Sequence, residues 1–218
     1  MITLHAFGNV HPAVHGETRD LRVQWALEEM GPPYRVQGVD HTAGENLGPE
    51  FSAISPFNQV PVLDDDGLIL SETGAILIHL AEKSGRLIPA DPEARAHVIQ
   101  WTLAALSTVE GPIQPLKLME LGAMGEPGDV RTFLTGWTRR VLDGLNRRLE
   151  GREWIAADDF TIADLLLASV LRQIRHTALM DAHPNVKAFY DRAMARPAWK
   201  RTLDLYAERL GADRAAIG

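Results

Sequence analysis

The residues of this chain best suited to chemistry stand in two short stretches, Gln59-Val60-Pro61 and Ser71-Glu72-Thr73. Ser71 is a natural N-cap for a helix carrying Ala75, Ile76, Ile78, Leu80 and Ala81, which leaves the backbone N–H groups of Glu72, Thr73 and Gly74 without intrahelical partners. Such an end attracts a carboxylate through its free donors and the positive end of the helix dipole. The Glu72 side chain has the opposite preference and pairs with an ammonium. Together they describe a site for a zwitterion, the head group of an α-amino acid, held by Glu72 and by the Thr73 N–H and hydroxyl. The plainer alternative is that Ser71, Glu72 and Thr73 only cap a helix. Pro61 shifts the balance, because a proline cannot donate to a strand ladder. The Val60-Pro61 bond then marks a strand start and is a candidate cis peptide. Val60 is left able to pair through its backbone with an extended ligand, as in strand addition.

These residues must be positioned by a hairpin and a helix. Val60 to Leu63 and Leu68 to Leu70 are apolar runs flanking Asp64-Asp65-Asp66-Gly67, and the Asp-Gly step favours the positive φ of a tight hairpin turn. The Asp run reads as a solvated turn, since three adjacent side chains diverge too far to share a metal. Upstream, Ile2 to Phe7 reads as a strand, and Leu21, Val23, Trp25, Ala26, Leu27 and Met30 recur at helical spacing until Gly31-Pro32 stops the helix. Tyr34 to Val39 gives a second strand, and Pro49-Glu50-Phe51 opens a short helix closed by Pro56. The order is βαβαββα, and a right-handed crossover makes the first two strands parallel neighbours in a four-strand mixed sheet.

Composition narrows the chemistry. The 218 residues are 45% apolar, enough for one large or two small domains. A net charge of -7 argues against a nucleic-acid surface. The start lacks a signal-peptide pattern and no run reaches membrane-spanning length, so a cytoplasmic protein is expected. The absence of cysteine excludes disulfides, thiolate metal ligands and a protein thiol nucleophile. If sulfur takes part, it arrives with the ligand.

Gln59-Val60-Pro61 followed after a hairpin by Glu72-Thr73-Gly74-Ala75-Ile76-Leu77 resembles the glutathione-binding half of the cytosolic glutathione transferases, bacterial type. In that family the residue before a cis-proline pairs with the cysteinyl part of glutathione, and an acidic residue followed by Ser or Thr holds the γ-glutamyl group. By resemblance Val60, Glu72 and Thr73 take these roles, with Gln59 beside them. Asn46 lies in a segment resembling one where relatives hold the glycyl carboxylate. The family places Tyr near the end of the first strand or Ser at the first helix, whereas this chain has Phe7 and a longer loop, residues 8–18. Thr18, at the expected N-terminus of the first helix, is the catalytic candidate: its hydroxyl, aided by the helix dipole, would favour thiolate over thiol in bound glutathione. The ordinary role for Thr18 is an N-cap. His15 and Asn9 are the substitutes, and His11, before Pro12, reads as structural.

Ile88-Pro89-Ala90-Asp91-Pro92 reads as the linker, with Asp91 capping a new helix, and strand signals vanish beyond it. Thr161-Ile162-Ala163-Asp164 reads as a capping-box variant. Asp159-Phe160-Thr161-Ile162-Ala163-Asp164, His183-Pro184-Asn185-Val186 and Ala195-Arg196-Pro197 resemble the helical half of the same family. The expectation is therefore α/β plus all-α: a thioredoxin-like glutathione-binding domain over residues 1–87 and an all-helical domain over 92–218. The resemblance implies glutathione as co-substrate, no metal, a small hydrophobic electrophile and a homodimer. Two alternatives stand beside it: a glutathione-binding or protein-interaction module with little catalysis, and a glutathione-dependent isomerase or dehalogenase.

Overall fold

The computed structural model describes residues 1–125 and 128–217. The chain forms two compact units, one made of Met1–Ser84 together with the chain from Arg196 on, the other of Gly85–Ala195.

In the first unit β1 (Ile2–Asn9), α1 (Asp20–Met30), β2 (Tyr34–Asp40), α2 (Pro49–Ser52), β3 (Val62–Asp65), β4 (Leu68–Leu70) and α3 (Thr73–Ser84) follow in the expected order. The sheet order is β2-β1-β3-β4, with β1 parallel to β2 and antiparallel to β3. This is the thioredoxin-like arrangement. Leu4, Ala6 and Leu63 of the sheet and Leu27, Ile76, Leu77 and Leu80 of the helices are buried, while Val62 packs with Val39, Phe51 and Val60 in a separate cluster. The hairpin turns at Asp66 and Gly67 with φ of 54° and 92°, the two left-handed positions of a type I′ turn. Asp64 Oδ1 accepts the Gly67 N–H at 2.8 Å and closes it. Where β1 and β2 end, Gly8 and Gly38 approach so closely that a Cβ on either would stand 3.0 Å from the other's Cα.

Two further helices, α10 (Pro197–Leu210) and α11 (Arg214–Ile217), rejoin this unit, although the sequence reading counts them with the helical run from 92. The cause lies in α1, whose Asp20, Leu21, Arg22, Val23, Gln24, Trp25, Ala26 and Leu27 are all buried. A helix buried all round needs a second cover besides its sheet, and α10 supplies it. Trp199 lies 4.9 Å from Trp25 between ring centroids, and Arg196 grips the Glu29 carboxylate through Nε at 2.6 Å and Nη2 at 2.9 Å.

The second unit contains α4 (Pro92–Ala104), α5 (Glu110–Glu120), α6 (Gly128–Arg148), α7 (Ile162–Leu171), α8 (Ala178–Asp181) and α9 (Pro184–Met194). Asp91 caps α4, accepting the Ala94 N–H at 2.8 Å. A wide turn over Ala105–Val109 precedes α5, which carries Pro115 inside it. The capping box before α7 is complete: Asp164 accepts the Thr161 N–H and hydroxyl and the Ile155 N–H, each at 2.8 Å. Val109 and Met119 are core residues of this unit. No helix among the described residues is long and apolar enough to cross a membrane.

Candidate functional site

A small cavity in the first unit is lined by Arg19, Ser55, Phe57, Gln59, Val60, Pro61, Ser71, Glu72 and Thr73. Four of the residues singled out for ligand binding, Gln59, Val60, Glu72 and Thr73, therefore share one wall. The Val60–Pro61 peptide is cis. Ser55 fixes the approach to it, donating from Oγ to the Gln59 carbonyl and accepting the Gln59 N–H, both at 2.9 Å.

The helix begins later than the sequence suggests. Glu72, and not Ser71, is the boundary residue, and its carbonyl accepts the Ile76 N–H at 3.0 Å. The donors left without intrahelical partners are therefore those of Thr73, Gly74 and Ala75. Glu72 turns the chain with φ of 69°, a left-handed conformation costing a non-glycine residue about 1 kcal/mol. Its carboxylate is exposed and makes no hydrogen bond or ion pair among the described residues. An acidic group that contributes nothing to the fold, held in strain beside helix donors and the buried Thr73, is suited to taking an ammonium while the donors take a carboxylate.

Thr18, His15 and Asn46 do not line this cavity. Arg19 is the N-cap of α1, with no side-chain cap bond, so Thr18 is not the cap the sequence allows. The reason is a partner from far along the chain: Thr18 Oγ donates to Tyr206 Oη at 3.1 Å. His15 donates from Nε2 to the Val10 carbonyl at 3.2 Å, with its ring 6.5 Å from that of Tyr206 and edge-on to it. His11 caps the short turn Pro12–Val14, accepting the Ala13 N–H on Nδ1. Asn9 donates to Asp40 and Thr42. Asn46 is buried and donates to the Asn58 carbonyl at 3.1 Å, which makes it a brace for the turn leading into Gln59 and Val60.

Arg19, Ser55 and Phe57 line the cavity without being singled out by sequence reasoning, and Arg19 is the charged one among them. It adds a cation to a wall otherwise carrying one carboxylate, and its only signal in the sequence is its place next to Thr18. Among the described residues, no group of three or more His, Asp or Glu side chains could hold a metal.

The first unit thus joins a thioredoxin-like sheet and a cis-proline to an acidic residue and a hydroxyl at a helix start. The glutathione S-transferase N-terminal domain model matches residues 13–82, and the C-terminal domain model matches residues 135–197. The disulfide-bond oxidoreductase YfcG of Escherichia coli is 32% identical over 81% of this chain and 86% of its own. Glutathione S-transferase F10 of Arabidopsis thaliana is 30% identical over 83% and 90%. A glutathione transferase family member from Pseudomonas fluorescens, solved with two glutathione molecules bound, superposes with a TM-score of 0.82 at 30% identity over 92% of this chain and 91% of that one. The chain belongs to the cytosolic glutathione transferase superfamily.

Proposed function

We propose that the protein is a glutathione transferase that binds glutathione in the cavity beside Val60–Pro61 and presents its sulfur as a thiolate to a small hydrophobic electrophile. The observation that carries this reading is the unpaired, strained Glu72 carboxylate at the start of α3. In this reading Glu72 takes the γ-glutamyl ammonium, and Thr73 with its helix donors takes the γ-glutamyl carboxylate. The Val60 backbone pairs with the cysteinyl residue, and Gln59 and Arg19 close the sides. Thr18, the residue before Arg19, donates a hydrogen bond to the sulfur. Such a bond favours the thiolate and lowers the thiol pKa from its ordinary value of about 8.5. His15 is the alternative donor, and Asn46 acts on the glycyl end only through Asn58.

The chemistry is a substitution: the thiolate lone pair forms the new S–C bond, the electrophile's leaving group departs with its electrons, and the thiol proton goes to solvent. The glutathione-bound neighbours support the ligand, and Phe57, 69% exposed next to the cavity, suits the proposed homodimer. A second reading is favoured by the resemblance to a disulfide-bond oxidoreductase. With no cysteine in this chain, the bound thiolate itself would attack a disulfide sulfur and release the other half as a thiolate. Titration of bound glutathione by ultraviolet thiolate absorbance, followed by panels of electrophiles and disulfides, tests both. A midpoint well below about 8.5 is expected; binding without that shift would leave only a binding module.

A further inference from the structure

We propose that Tyr206, from the far end of the chain, is a positioning residue for the sulfur-activating hydroxyl: Tyr206 and Thr18 form a relay in which the phenol donates to Thr18 Oγ when Thr18 donates to the glutathione sulfur. The inference rests on the proposed function and adds to it the residue that orients the donor. Tyr206 is fully buried, so its hydroxyl cannot touch a substrate and acts only through a neighbour. That neighbour is Thr18, at 3.1 Å. In the structure Thr18 donates and Tyr206 accepts, but a bond between two hydroxyls runs in either direction. A proton that Thr18 turns towards a thiolate is withdrawn from Tyr206, and the phenol can then donate back. Chained hydrogen bonds polarise one another, so the Thr18 donation is strengthened by the second link.

The surroundings of Tyr206 hold it for this role. Arg209, one turn further along α10, donates from Nε to the Phe7 carbonyl at 2.9 Å, from Nη1 to Gln24 Oε1 at 2.8 Å and from Nη2 to Asp20 Oδ2 at 2.8 Å. Its guanidinium also lies 5.2 Å from the centre of the Tyr206 ring. The charged pair facing the phenol is Asp20 on α1 and Arg209 on α10, where burial raises the Asp20 carboxyl in spite of the Arg209 charge, and the His15 ring approaches from the loop. Burial, with the Asp20 charge adding to it, pushes the phenol up to about 12, against hydrogen bonds from Thr18 and Gly16 and the Arg209 charge, which pull it down. The phenol therefore keeps its proton through the working pH range.

The test is a double-mutant cycle of Thr18→Ala and Tyr206→Phe in the full chain, read by the ultraviolet titration of bound glutathione, with the glutathione Kd from calorimetry alongside. Tyr206→Phe is expected to raise the bound-thiol pKa by about half to one unit, a three- to tenfold fall in the ionisation constant of the bound thiol, with Kd, taken at a pH below the bound midpoint, changed less than about twofold. In the Thr18→Ala background it should add nothing, whereas in a Thr18→Ser background its effect should persist. A tyrosine that only fills space would lower Tm and leave the midpoint alone. Either an unmoved midpoint in Tyr206→Phe or an equal shift in the absence of Thr18 would overturn the relay. Should Tyr206→Phe fold poorly, 3-fluorotyrosine incorporation keeps the ring and makes the phenol a stronger donor; the midpoint should then fall, and an unchanged midpoint counts against the proposal. If the wild type itself binds glutathione without lowering its pKa, the transferase reading fails together with the relay. A normal wild type with insensitive variants removes the relay alone.

Discussion

Replacing Glu72 by alanine is expected to weaken glutathione binding while leaving the fold intact. The carboxylate has no partner among the described residues, so its removal exposes no orphaned group. A charge-assisted hydrogen bond contributes about 1.5–3 kcal/mol. Glu72 is exposed, and solvent screening places its contribution at the low end, about 1.5–2 kcal/mol, or roughly 10- to 30-fold in Kd. Glu72→Gly sharpens the test. Glycine relieves the left-handed strain of about 1 kcal/mol at φ 69°, and the extra freedom it gives the unfolded chain cancels most of that gain. Tm should therefore stay nearly constant in both variants while calorimetry records the loss of affinity. A Kd within twofold of wild type in both would refute the assignment of Glu72 to the ligand ammonium. A large fall in Tm would refute the claim that this carboxylate is idle in the fold.

Three other perturbations are read independently. Thr18→Ala should reduce turnover more than tenfold with little change in glutathione affinity; if His15→Ala abolishes turnover and Thr18→Ala does not, His15 is the donor. Burial pushes the Asp164 carboxyl up to about 6, overcoming the donors from Ile155 and Thr161. Between about 4 and 6 the folded chain then holds a proton that the unfolded chain has lost, so stability falls as pH rises through that window, by up to about 3 kcal/mol. Urea unfolding at stepped pH should show this slope in the wild type and a flatter one in Asp164→Asn. Gly38→Ala should cost about 1–3 kcal/mol, because its Cβ would meet Gly8 Cα at 3.0 Å with backbone on both sides; an unchanged unfolding midpoint would show that the two strands can part without cost.

The parts of the site legible in the sequence are those built from local rules. Pro61 in an apolar run, the Asp66-Gly67 turn and the Glu72-Thr73 helix start each combine neighbours in the chain, and the cavity joins them because a hairpin returns β4 beside β3. The helix boundary lies one residue beyond the expected one, since a serine cap is the commoner solution and nothing local announces a left-handed glutamate. Thr18 does stand just ahead of α1, but its bonding is not legible, because its partner Tyr206 is 188 positions away. The return of α10 to the first unit is hidden for the same reason. α1 carries Asp20, Arg22 and Gln24 among its apolar residues, a pattern that reads as a half-exposed helix until Arg209 and Trp199 are seen to cover it. Asn46 suggests a ligand contact by resemblance, and the structure ties its amide to Asn58.

The most direct measurement is the crystal structure of the protein soaked with glutathione. The γ-glutamyl ammonium is expected within hydrogen-bond distance of the Glu72 carboxylate, the γ-glutamyl carboxylate on Thr73, and the cysteinyl main chain against Val60. Peptide density elsewhere, for example in the larger cleft between His5, Val39, Glu45 and Phe51, or a soaked crystal that leaves the Val60 and Glu72 wall bare, would contradict the assignment of this cavity to glutathione.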